Sequence, residues 1–157
     1  MSKDIENSAD KEKHKNSNQD LIKYRKEGRL IAFKTLFSYD FDNKDINELL
    51  KFGWLDADYN EESLFYARYL IQGTLKNLDE IDSLIKEKSK NWDFDRLSYV
   101  DRAVLRFSIF CLIFEKDLAE KIVINEAIEI VKNFGTNDSY RFVNGILDAI
   151  KKNKEQK

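Results

Sequence analysis

The chain contains no proline, only five glycines, one cysteine and one histidine in 157 residues. Without proline nothing interrupts a helix from within, and so few glycines leave little material for the tight turns of an all-β fold. Long helices are the expected architecture. A single cysteine, Cys111, excludes an intrachain disulfide and suits a reducing cytoplasm. The only histidine, His14, lies in a polar N-terminal stretch, so no Ser-His-Asp or Cys-His pair can be assembled in the folded part. Neither a Walker A loop nor G-x-G-x-x-G is present, and no dense cluster of metal ligands occurs, so no cofactor is expected. No apolar run approaches ~18 residues, and the N-terminus lacks the hydrophobic core of a signal peptide. A cytoplasmic protein with no membrane association is expected, and nothing points to an enzyme.

What the chain does have is charge and apolar surface together. Hydrophobic residues make up 42 % and charged residues 36 %, enough for one core beneath a solvated helical surface. The net charge of −2 runs against a general nucleic-acid binder, which would usually be basic. Any RNA site must therefore be a local patch assisted by a partner.

Residues 1–19 are polar and nearly free of large apolar side chains, and read as a disordered tail that cannot offset its ordering entropy. From Asp20 the pattern is helical, with Leu30, Phe33, Leu36, Phe37 and Phe41 spaced for one face. A short helix follows around Ile46–Phe52. A long stripe runs from Leu64 to Ile85, with a break expected near Gly73 or Asn77. Val100–Phe114 is apolar around most of its circumference, which predicts a buried central helix. Its Arg102 and Arg106 lie one turn apart. They read either as structural ion pairs, the commoner outcome, or as cations emerging beside a binding surface. Ile124, Ala127, Ile128 and Val131 form the next stripe, closed by Phe134-Gly135, with Gly135 suited to a left-handed cap. Asn137, Asp138 or Ser139 can start the last helix, whose stripe is Phe142, Val143, Ile146, Leu147 and Ile150. The predicted fold is all-α, two small packed bundles of about six to seven helices. They form one domain over 20–152, with subdomains about 20–90 and 91–152 and a frayed 153–157.

Three blocks in order carry a resemblance. They are Arg29-Leu-Ile-Ala32 leading to Leu36-Phe37; Trp92, Leu97 and Val100-Asp-Arg-Ala-Val-Leu-Arg106; and Val123-Ile-Asn-Glu-Ala127 with Lys132-Asn-Phe-Gly135, Asp138-Ser139 and Arg141-Phe-Val-Asn-Gly145. Over about Tyr24 to Ile150 the chain resembles the NusB family of bacterial transcription antitermination factors. The resemblance implies a non-enzymatic scaffold that pairs with NusE, a small-subunit ribosomal protein. The pair binds boxA RNA and helps the RNA polymerase antitermination complex traverse ribosomal RNA operons. Both a monomer and a homodimer stay open.

By resemblance, Lys26 and Arg29, together with Arg25, stand at the family's arginine-rich start, and Arg106, Phe142 and Asn144 are further RNA candidates. Phe37, at a family aromatic position, is an RNA candidate as well, and Tyr140, beside Arg141 in the hinge, is the ring expected to be exposed for base stacking. Asp101 and Asp138 correspond to acidic positions expected to face the basic NusE partner. The first helix carries fewer arginines than is usual in the family. Its Gly28 weakens the helix by ~1 kcal/mol relative to alanine. Ser98-Tyr99 and Leu118-Ala119 replace prolines common in relatives. A helical adaptor that binds only proteins is the alternative reading.

Overall fold

A computed structural model describes the backbone of residues 2–90 and 92–155 and the side chains of 17–90 and 92–154. Among them are seven α-helices: α1 (Ser2–Asp42), α2 (Ile46–Leu49), α3 (Glu61–Lys76), α4 (Leu78–Lys88), α5 (Tyr99–Phe114), α6 (Glu120–Phe134) and α7 (Asn137–Glu155). A single 3-10 turn, Phe94–Arg96, leads into α5. The expected all-α architecture holds, although α4 packs on α5 and α7 more than on α3. No described helix is long and apolar enough to cross a membrane.

Local chemistry explains most boundaries. Ser98 caps α5 by accepting the Asp101 N–H at 3.0 Å, and Asn60 caps α3 by accepting the Glu62 N–H at 2.9 Å. The long stripe breaks at Asn77, not Gly73: the Asn77 side chain donates to the Gly73 carbonyl at 2.8 Å and closes α3. Gly73 is instead required inside α3 by packing, because a Cβ there would meet the Phe110 ring at 2.2 Å. Gly135 ends α6 in an extended conformation, φ −96°, and not in the left-handed one its type suggested. What demands glycine there is crowding, since a Cβ would lie 2.7 Å from the Ser139 hydroxyl. That hydroxyl accepts the Thr136 N–H at 3.0 Å, so the turn is tied by Thr136 and Ser139.

Helical backbone begins at Ser2, upstream of the boundary expected at Asp20. The first described side chains, residues 17–23, are all exposed, the apolar Leu21 and Ile22 among them. The side chains of 1–16 and the end of the chain beyond Glu155 lie outside the described residues.

One continuous hydrophobic cluster runs through both bundles. It joins Ile31, Phe33 and Leu36 of α1, Leu70 and Ile71 of α3, and Ile81 and Ile85 of α4 to α5, α6 and α7. Helix α5 is the axle: every residue from Asp101 to Leu112 is buried, and α5 packs against α1, α3, α4, α6 and α7. A helix apolar nearly all round has no outward face to solvate.

Candidate nucleic-acid interface

Arg25, Lys26 and Arg29 lie well inside α1, far from its first turn. They do not share one surface. Residues 25 and 29 are one turn apart and face α3, where both guanidinium groups lie over the Tyr66 ring, 5.8 and 5.6 Å from its centroid. Arg29 is buried beside Tyr66, whose hydroxyl donates to Glu115 at 3.0 Å. The Cys111 thiol also reaches Glu115, at 3.3 Å, and burial pushes that thiol well above its ordinary pKa. Lys26 points around the helix to α6 and pairs with Glu129 at 2.8 Å, with both side chains half exposed. Of the three, Arg25 and Lys26 are at the surface.

Arg106 is also buried, 7 % exposed, and is engaged by carboxylates. It donates to both oxygens of Asp82 at 2.9 Å and lies 3.4 Å from Asp40, which in turn accepts from Arg102 at 2.7 Å. This Asp40–Arg102–Arg106–Asp82 chain joins α1, α5 and α4. The structural ion-pair reading of these arginines therefore describes their geometry, and Arg106 is not placed on an open cationic face. Asp101 is buried too, with one carboxylate oxygen lacking a hydrogen-bond partner among the described residues. Burial raises its pKa, while the Ser139 and Ser98 hydroxyls pull it back. By contrast, Asp138 is fully at the surface at the start of α7.

Phe37 is half-buried in an aromatic cluster: it stacks on Phe41 with centroids 5.6 Å apart and meets Tyr99 at 6.3 Å. Phe41 is 56 % exposed and Tyr99 38 %, which leaves an apolar surface rather than a closed core. On α7, Tyr140 is exposed, as expected of the hinge, and carries the Lys132 ammonium 5.2 Å from its centroid. Asn144 is exposed one turn on, and Phe142 is half-buried against Trp92. The sequence placed the exposed Trp92 in a family block but gave it no binding role, and it did not single out the Tyr66–Glu115–Cys111 cluster beneath Arg29. For Trp92 a signal existed: a tryptophan between Lys90 and Asp93 and outside any apolar stripe.

The chain matches a model of the NusB family over residues 26–152. It is 43 % identical, over 81 % of this chain and 95 % of the relative, to the transcription antitermination protein NusB of Treponema denticola. Among solved structures, T. maritima NusB superimposes with a TM-score of 0.75 at 44 % identity, covering 82 % of this chain and 90 % of that one. A crystal structure of the antitermination factors NusB and NusE with dsRNA matches with a TM-score of 0.72 at 30 % identity, over 83 % of this chain and 98 % of that one. With the three sequence blocks and the structural likeness over most of both chains, these comparisons leave one conclusion: the chain belongs to the NusB family.

Proposed function

We propose that this chain is a transcription antitermination factor that pairs with a NusE-type ribosomal protein and binds boxA-type RNA, supporting RNA polymerase on ribosomal RNA operons. The observation that carries the reading is the likeness, over most of both chains, to a NusB solved with NusE and dsRNA. It works as a scaffold: cations position the phosphates and unstacked bases supply the sequence preference.

The surface geometry narrows the candidates. Arg25, Lys26, Tyr140, Phe142 and Asn144 are accessible for RNA, whereas Arg29 and Arg106 act from within, by holding α1 on α3 and α5 on α4. Asp138 and the Phe37–Phe41–Tyr99 surface offer charge and apolar area to a basic protein partner. Asp101 supports that face from beneath by seating α5 against Ser139. The test is a titration of boxA-type and scrambled RNA, with and without NusE, at two salt concentrations. Selective binding strengthened by NusE and weakened by salt upholds the reading.

One observation favours the adaptor alternative. Lys26 is already paired with Glu129 and Arg29 is buried, so few unpaired cations remain at the start of the folded part. Capture of NusE with no selective retention of RNA would establish it.

A further inference from the structure

Between the end of α4 and the middle of α7 lies a cleft of about 410 Å³ with aromatic and cationic walls. Trp92 forms one side. It is 65 % exposed and meets Phe142 edge to face, with ring centroids 5.7 Å apart. The backbone sets its position: the Trp92 N–H donates to the Ser89 carbonyl at 2.7 Å, directly after α4.

The rim carries positive charge. Lys90 and Arg141 line the cleft and are exposed. Neither makes an ion pair among the described residues. On the wall, the Ser89 hydroxyl is buried with no hydrogen-bond partner among the described residues.

The floor includes Gly145, in the interior of α7. Glycine weakens a helix interior relative to alanine, and Gly28, Gly73 and Gly135 are each required by a close neighbour. Gly145 is not: a Cβ there would meet nothing within 4 Å. Folding therefore does not explain this glycine, but an approaching ligand would.

We propose that this cleft is a slot for one unstacked base of single-stranded RNA, stacked on Trp92 over the open backbone of Gly145, with Lys90 and Arg141 on the flanking phosphates. Every base has a flat face that such a platform can take, and an aromatic wall with cations on its rim fits single-stranded nucleic acid. The slot rests on the RNA-binding reading above and adds to it a discrete base site.

The test uses fluorescein-labelled boxA-type RNA with NusE present, a scrambled control, and a series in which one nucleotide at a time is made abasic. Trp92→Ala should weaken binding roughly 5- to 150-fold, and Trp92→Phe should retain much of the affinity. One abasic position should cost the wild-type protein affinity yet cost Trp92→Ala almost nothing. Gly145→Leu should weaken binding while raising Tm, since it fills the slot and removes a helix-weakening residue. If the wild-type protein selects boxA-type RNA while Trp92→Ala and Gly145→Leu bind as tightly as it does, the slot falls and the RNA reading stands. An equal loss for Trp92→Ala at every abasic position also overturns the slot. No RNA binding by the wild-type protein overturns both.

Discussion

Arg106 grips Asp82 with two arms of its guanidinium, Nε to one carboxylate oxygen and Nη2 to the other, each at 2.9 Å. The pair is largely buried and bolts α5 to α4 across 24 residues of sequence. Truncating a partner in such a pair strands the other charge out of water. Arg106→Ala should therefore cost about 3 kcal/mol, read as a fall in the urea midpoint with an unchanged slope. Replacing the exposed Arg96, whose Asp93 contact is 3.9 Å, should change stability by less than about 0.5 kcal/mol.

Gly28→Ala separates helix propensity from packing. Propensity alone favours alanine by about 1 kcal/mol. At this helix crossing, however, a Cβ would lie 2.9 Å from the Tyr66 ring and 3.0 Å from the Ser63 carbonyl, which is backbone and cannot swing aside. The variant should be destabilised by a net ~1–2 kcal/mol in thermal unfolding, since overpacking outweighs the propensity gain. A stabilised variant would mean that α1 and α3 do not cross this closely.

Asp101 should leave a mark on the pH dependence of stability. Its folded pKa is raised above the ordinary 3.8 by burial, so the folded protein holds the proton at pH values where the unfolded chain has lost it. The unfolded state binds fewer protons in that window, and stability contributed by this group falls as pH rises from about 3.8 through the raised value. Asp101→Asn carries no such titration. In urea unfolding across a pH series, the variant should gain on the wild-type protein as pH rises through that window and level off above it.

Lys26 and Glu129 form an exposed pair, so its loss should hardly affect folding. Lys26→Ala should change stability by less than about 1 kcal/mol. If Lys26 meets phosphate, the same change should lower the salt slope of RNA binding by about 1. Glu129→Gln should act oppositely by releasing the ammonium, and bind RNA more tightly than the wild-type protein.

The helices were legible because their apolar spacing is a local property. Leu105, Ile109, Leu112 and Ile113, which carry apolar surface around most of the circumference, already marked α5 as central. What escaped depends on partners distant in sequence. Nothing near Lys26 announces Glu129, 103 residues away, and nothing near Gly28 announces Tyr66. Arg25, Lys26 and Arg29 stand close in sequence, yet a short run of one helix is divided here between two neighbours, α3 and α6. Family wording located the candidate surfaces but not their exposure. It therefore could not distinguish Arg106, spent on Asp82, from Arg141, which stands open.

The all-round burial of α5 also governs how the chain can be made. A ribosome synthesises α1, α3 and α4 before α5, so Ile31, Phe33, Leu70 and Ile71 wait in water until Phe114 has cleared the exit tunnel. The division expected near Lys90 would then mark a pause in assembly, not a seam between self-sufficient parts. A fragment covering 20–90 should bind a hydrophobic dye and melt without cooperativity. Mixing it with a 91–157 fragment should restore a cooperative transition, as the late helix supplies the surface the early ones have been waiting to cover.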